Sequence, residues 1–321
     1  MGAGVQEAAP GPAPADAAGA AADAAPKAAA KKKGARPGAL TVVRHVVQVC
    51  MLVLFSLPVL LAGWGLFGIT PAAGDMTDVA LATPANLPFF GTLSSSSIGP
   101  VTLLDPFGVL QMMCAAKTVM LDWIVGALPV LVVYGLIRGR VFCGWVCPVN
   151  LVLEVLDWVR CKVRPNQQLP ETVLPRHAKL YVAAGVLVLS LVCSVPVFEM
   201  LSPISFINKG LVFGSMVGGF TLLAIVLVEL FWGHRVWCRS LCPLGGFYEV
   251  LGKVGLVNVK ADHAKCIGCN KCKKACLCAP EILDAAVAGE SPAVCAGDCM
   301  LCGKCVDACP TGALSVGVGR K

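Results

Sequence analysis

Eight cysteines near the C-terminus stand at a spacing that iron can use. Cys266, Cys269 and Cys272 are two residues apart, with Cys276 three further on. Cys299, Cys302 and Cys305 repeat the pattern, and Cys309 with Pro310 closes it. Three thiolates at that spacing wrap one loop around a cubic [4Fe–4S] cluster, while the fourth of each run reaches the other cluster. Cluster one is therefore assigned to Cys266, Cys269, Cys272 and Cys309, and cluster two to Cys299, Cys302, Cys305 and Cys276. Gly268 and Gly303 leave room for the backbone to approach. Zinc knuckles use paired C-x2-C and four ligands in all, fewer than two full runs provide. After Cys276 the chain reads Leu277-Cys278-Ala279-Pro280 where Cys-Pro is usual, so Cys278 competes with Cys276 for cluster two, and Cys295 is a bystander. Two adjacent clusters relay single electrons. The chain has no nucleotide-binding glycine motif, catalytic triad or carboxylate pair for bond chemistry.

Four further cysteines lie in an internal repeat. Offsetting the chain by 95 residues aligns RVFCGWVCPVNLVLEVLDWV (140–159) with RVWCRSLCPLGGFYEVLGKV (235–254), including Cys143/Cys238, Cys147/Cys242, Pro148/Pro243 and Glu154/Glu249. Each copy is a C-x3-C-P motif leading into an amphipathic segment. Proline at a first helical position explains Pro148 and Pro243 but not Cys143, Cys147, Cys238 and Cys242. The spacing leaves open a redox-active pair, a further metal or cluster site, or contact with a quinone.

These motifs must be held by something apolar. The 321-residue chain is 57% hydrophobic and only 14% charged, with mean hydropathy +0.77; soluble domains carry about a quarter charged residues. Residues 1–40 are an Ala/Pro-rich tail that cannot bury a core. Apolar runs at 46–67, 118–137, 180–198 and 211–232 each approach the ~20 residues a span needs. The first is too long for a signal-peptide core and lacks a cleavage site. Lysine and arginine number six in 1–44, none in 68–116, seven in 138–179, one in 199–210 and eleven in 233–321. The positive-inside rule then puts both termini in the cytoplasm. The net charge of +7 is membrane orientation, not a nucleic-acid footprint. The cysteine-rich end lies in a reducing compartment, where thiols stay free for iron. The expected architecture is an all-α membrane bundle of four transmembrane helices, a duplicated helical hairpin over 41–257. A small α+β two-cluster ferredoxin-like domain follows over 258–321. The two hairpins are expected to pack about a pseudo-two-fold axis along the membrane normal.

With four spans, two C-x3-C-P motifs and two cluster motifs, residues 40–321 resemble the NapH/MauN family of membrane ferredoxins. The stretch ACLCAPEILDAAVAG is similar to the family's linker apart from its inserted Leu-Cys. Within the family the chain looks most like the quinol dehydrogenase membrane component of periplasmic nitrate reductase systems, in the bacterial inner membrane. The resemblance implies that electrons leave quinol, pass through this subunit and a periplasmic ferredoxin-type partner, and reach the nitrate reductase. It also implies an alternative, an iron–sulfur reductase that matures a copper enzyme or an amine dehydrogenase. A rival from a different class is a redox sensor that signals by losing its clusters, but sensors generally carry an output domain and the sequence shows none.

Quinol oxidation also needs a proton acceptor. Asp122, Glu229 and His234 near span ends are candidates, although snorkelling to the interface explains each one. Glu154 and Glu249 recur in both repeats and are expected to neutralise arginines. His45 has no second histidine in a span to pair with, which argues against haem. Cys50, Cys114, Cys161 and Cys193 are expected to be buried, inert thiols.

Overall fold

The computed structural model describes residues 38–64, 89–91, 93, 95–98, 101–163, 174–207 and 216–319. The expectation for the tail therefore lies almost wholly outside the described residues. From Pro37 to Lys321 the chain forms one compact unit.

Helices occupy all four apolar runs: α1 Ala39–Trp64, α3 Leu121–Ile137, α6 Ala178–Cys193 and α8 Met216–Phe231. Among the described residues, α1 alone is long and apolar enough to cross a membrane by length and composition. It begins seven residues before the apolar run because its polar first turns have partners. Thr41 donates to Asp307 from its backbone N–H (2.9 Å) and its hydroxyl (2.6 Å), and Gln48 donates to the carbonyl of Gly144 (2.8 Å). Helix α6 stops five residues short of the expected end. Ser194 turns left-handed (φ 56°), and Pro196 two residues on has no amide to continue the ladder. Cys50, Cys161 and Cys193 are exposed and Cys114 half-buried, against the expectation of buried thiols: these helices present much of their apolar surface outward.

Between α1 and α3 the chain builds a small antiparallel sheet, β1 Phe89–Gly91, β2 Ser95–Ile98 and β3 Val101–Leu104. Helix α2, Pro106–Ala116, follows, with Pro106 at its start. The Asp105 carboxylate accepts from the Gly108 amide (2.9 Å) and caps α2. Buried Phe107 at the start of α2 packs on Phe198 and Phe247 at centroid distances of 5.9 and 5.7 Å. The described residues between the first two apolar runs thus form a small sheet and a capped helix.

The two repeats then read alike. Helix α4 (Val141–Trp145) leads to α5 (Pro148–Val163). A π-turn over Trp237–Leu241 leads to α9 (Pro243–Gly252). The C-terminal part is a three-stranded antiparallel sheet, β4 Val257–Ala261 between β5 Ala293–Val294 and β6 Leu314–Val318. Over it lie the short helices α10 Lys271–Lys274, α11 Asp284–Ala288 and α12 Lys304–Asp307. Its core includes Val259, Leu283 and Met300, each 2% exposed or less.

Candidate iron–sulfur centres

Three cavities of similar size are walled by cysteine. The first, about 420 Å³, has Cys266, Cys269, Cys272 and Cys309 on its lining. The second, about 360 Å³, has Cys276, Cys278, Cys299, Cys302 and Cys305. The third, about 420 Å³, brings together Cys143, Cys147, Cys238 and Cys242 from the two repeats. None of the eighteen cysteines is in a disulfide.

Local backbone geometry explains the sets. Gly268 and Gly303 take left-handed φ values of 67° and 76°, which a side chain adopts only at a cost. Gly268 turns the chain between Cys266 and Cys269, and Gly303 between Cys302 and Cys305, where the first run has left-handed Asn270. The fourth cysteine of each run lies beyond its short helix and faces the other run's cavity. Cys276 and Cys278 share the second wall, Cys278 the more deeply buried, so both candidates for that position are in place.

The third cavity has a matching logic in both repeats. Cys242 is the cap of α9, Pro243 its first residue, and the Gly245 amide points to the Cys242 sulfur at 3.4 Å. The amides of Val149 and Asn150 address Cys147 as those of Leu244 and Gly245 address Cys242. Cysteine followed by proline thus aims a sulfur at a helix N-terminus, where free N–H groups and the helix dipole favour negative charge. Burial pushes the Cys242 thiol up to about 12 and raises Cys143, Cys147 and Cys238 as well. A redox dithiol works from an accessible, low-pKa thiolate. Buried thiols facing helix N-termini suit a bound cationic centre instead. The donor set, all sulfur with amides turned toward it, fits a [4Fe–4S] cluster in each cavity.

The third site abuts the second. The Trp145 indole donates to the Leu301 carbonyl (3.0 Å), and a Cβ at Gly144 would stand 2.7 Å from the Met300 carbonyl. Only glycine lets α4 press its backbone on the loop that carries Cys299 and Cys302. Cys143 itself packs on the core of the C-terminal part.

Around this contact lies a set of buried charges. Arg44, Arg138, Arg140, Arg235 and Lys179 are all 1% exposed or less. Arg140 donates to the Asp298 carboxylate (3.1 Å) and to the Cys238 carbonyl (2.8 Å) in the other repeat. Its counterpart Arg235 reaches back to Asn150 (2.8 Å) and Asp157 (3.1 Å) in the first. Glu154 accepts from Arg44 (2.7 Å) and His45 (2.8 Å), with Lys304 at 3.1 Å. Its counterpart Glu249 faces His177 (2.9 Å) and Lys179 (3.1 Å). In each repeat, the glutamate after the cysteines is met by cations at the start of that repeat's first helix. Lys179 also pairs with Asp298, and its ammonium takes the cation's place among His177, Glu249 and Asp298. Repetition of Arg140/Arg235 and Glu154/Glu249 was the sequence signal for this network; its closure through Lys179 and Asp298 had none.

The three proton-acceptor candidates fare differently. Asp122 is exposed in the first turn of α3. Glu229 is 4% exposed, and its carboxylate accepts the amides of Arg235 and Trp237, closing the turn into the second motif. His234 sits 3.2 Å from Asp157.

Two family models, both described as a 4Fe-4S binding domain, match the chain. One matches twice, over 119–166 and 215–261, once on each repeat; the other matches 296–315. The chain is 35% identical to the methylamine utilization ferredoxin-type protein MauN of Methylorubrum extorquens over 219 residues, 68% of this chain and 75% of that one. It is also 35% identical to the ferredoxin-type protein NapH of Escherichia coli over 223 residues, 68% and 76% of the two chains. The chain belongs to the NapH/MauN family of ferredoxin-type proteins. It is an iron–sulfur protein of electron transfer. No solved structure matches it.

Proposed function

We propose that the chain is a quinol-oxidising membrane subunit that relays electrons through three iron–sulfur clusters toward a periplasmic nitrate reductase system. The observation that carries this reading is the third cavity, into whose wall the two repeats bring four cysteines, at the foot of the apolar helices and pressed against the second. Cys143, Cys147, Cys238 and Cys242 would hold one cluster. Cys299, Cys302 and Cys305, with Cys276 or Cys278, would hold the next, and Cys266, Cys269, Cys272 and Cys309 the last. A bound [4Fe–4S] cluster takes up and passes on one electron at a time. The chain's part is to set the thiolates, exclude water from the second and third sites, and hold the sites together through Arg140.

On this reading α1, α3, α6 and α8 cross the inner membrane, with both termini in the cytoplasm. The three shorter helices, of 16 or 17 residues, measure about 24–26 Å at a rise of ~1.5 Å per residue. Local thinning accommodates that deficit. The tail, the 41–257 bundle and the 258–321 cluster domain then have separate tasks, and a periplasmic ferredoxin-type subunit receives the electrons. Likeness to NapH supports the nitrate destination. Equal identity to MauN favours a second reading, in which the same relay serves maturation of an amine dehydrogenase.

The test is EPR on membranes holding the full chain, reduced by a quinol analogue or by dithionite, with iron and acid-labile sulfide counted per chain. Three clusters, reducible by quinol, are expected. Clusters that dithionite reduces and quinol does not would refute quinol oxidation; two clusters per chain would remove the third site.

A further inference from the structure

A fourth cavity, of about 560 Å³, lies beside the third cysteine site and contains no cysteine. Its walls come from α1 (Met51, Phe55), β3 (Leu103), α3 (Val130, Tyr134), α4 (Phe142) and α9 (Tyr248). Phe142 lines this cavity and the one bounded by Cys143, Cys147, Cys238 and Cys242. Three of its rings form a cluster. Phe142 stacks on Tyr248 at 5.4 Å, and Tyr134 meets both edge-on at 5.7 and 5.8 Å. One acid opens on this apolar space, Asp105, which accepts from the Tyr248 hydroxyl at 3.1 Å and from the Gly108 amide. Asp105 forms no ion pair among the described residues. Glu154, Asp157 and Glu249, by contrast, each meet a cation.

A cavity with apolar and aromatic walls, few convergent polar groups and a carboxyl without a counter-ion is built for a flat, weakly polar ligand that gives up protons. Met51 and Phe55 belong to the helix whose Val46, Val49, Val53 and Leu54 face outward, so the cavity borders the surface that lipid would cover. We propose that this cavity binds the quinol headgroup and that Asp105 accepts its protons. This inference rests on quinol oxidation as proposed above and adds the place and the base. A quinol hydroxyl takes the position beside Asp105 and Tyr248. Its O–H bond breaks and the proton passes to an Asp105 carboxylate oxygen; an oxidised iron–sulfur centre held by Cys143, Cys147, Cys238 and Cys242, on the other side of Phe142, would supply the one-electron acceptor. After the carboxyl has released that proton to water, and once the first electron has been handed on to the neighbouring centre, the second O–H proton goes to Asp105, the second electron would follow the first, and quinone leaves. Two protons and two electrons are lost per quinol, and the iron–sulfur centres are the oxidant.

Burial raises the Asp105 carboxyl to about 6 against the amide of Gly108 and the hydroxyl of Tyr248, which lower it. Glu199 from α7 (Val197–Leu201) raises it further, and Tyr134 is the other titratable group at the cavity. An acid in that range exchanges protons near neutrality.

The experiment uses the full chain in membranes, with Asp105→Asn and Val130→Trp. Asparagine has one oxygen: set on the Gly108 amide it keeps the cap, its NH2 then donates to the Tyr248 oxygen instead of accepting from it, and it takes no proton; tryptophan fills the cavity. The probe for binding is 2-heptyl-4-hydroxyquinoline N-oxide, whose fluorescence is quenched when a quinol site takes it up. Val130→Trp is expected to lose that quenching at least tenfold in affinity. Asp105→Asn is expected to keep binding within a few-fold, to slow quinol-driven cluster reduction at least a hundredfold, and to lose the rise in rate between pH 5 and 7. Dithionite-reduced EPR signals should match the unaltered protein in both. If Val130→Trp disturbs packing and loses its clusters, Asp105→Asn alone decides. Quinol reduction that persists undiminished in Asp105→Asn overturns this assignment and leaves quinol oxidation standing. An unaltered protein whose clusters accept electrons from dithionite but none from quinol overturns the parent reading.

Discussion

Asp298 is the side chain on which the contact between the cluster-bearing loop and the helical part depends. It is 2% exposed, accepts from Arg140 at 3.1 Å, pairs with Lys179, and has Arg176 at 3.9 Å. Replacing it with alanine leaves two buried cations short of an anion, a change that costs about 3–5 kcal/mol when one partner of a buried pair is removed. Arg140 keeps the carbonyls of Cys238 and of residue 298, and Lys179 keeps Glu249, which argues for the lower end, about 3 kcal/mol. At roughly 2–4 °C per kcal/mol for a chain of this order of size, Asp298→Ala should melt about 6–12 °C lower. The melt is followed by loss of cluster absorbance in detergent-solubilised holoprotein. Burial alone would raise the Asp298 carboxyl, but Arg140 and Lys179 outweigh it and hold it below its ordinary 3.8. Its folded pKa is therefore the lower one. The stabilisation is fully present above the unfolded value and fades as pH falls through the folded one. The gap between the two proteins should be flat from pH 8 to 5 and close only in stronger acid. A variant that melts within about 2 °C of the unaltered protein, or a gap that narrows between pH 8 and 6, would refute the reasoning.

Three further outcomes can be checked on the same preparation. Cys143→Ser or Cys238→Ser should remove about a third of the iron, as three like clusters require, and stop quinol-driven reduction while the two C-terminal clusters still show their EPR signals. Cys276→Ser should cost one cluster by iron content and Cys278→Ser none; the reverse result would move the ligand into the inserted Leu-Cys. Gly144→Ala would place its Cβ 2.7 Å from the Met300 carbonyl, and overpacking of this kind costs about 1–3 kcal/mol. A lower melting point is expected, together with slower electron transfer from the third site to the second in freeze-quench EPR; unchanged values for both would show that the contact yields freely.

The cysteine motifs, the duplicated repeat, the apolar runs and the family were all legible in the chain, because each is a matter of local order. Thiol spacing is set by loops of a few residues, and a duplication leaves its identities at a constant offset. Helix ends were less legible: α1 gains a polar first turn from partners as distant in sequence as Asp307, and α6 ends at a left-handed Ser194 before Pro196. Which cysteines share a wall, and that Cys143 and Cys147 from one repeat face Cys238 and Cys242 from the other, depends on how the two repeats pack, and spacing carries no such distance. The same holds for Asp298 between Arg140 and Lys179, and for Asp105 beneath Tyr248, 143 residues away. An aspartate in a segment without lysine or arginine looks like a solvated turn until the chain folds it against an aromatic wall. Burial and the absence of a counter-ion, which give that carboxyl its chemistry, are properties of the packed molecule alone.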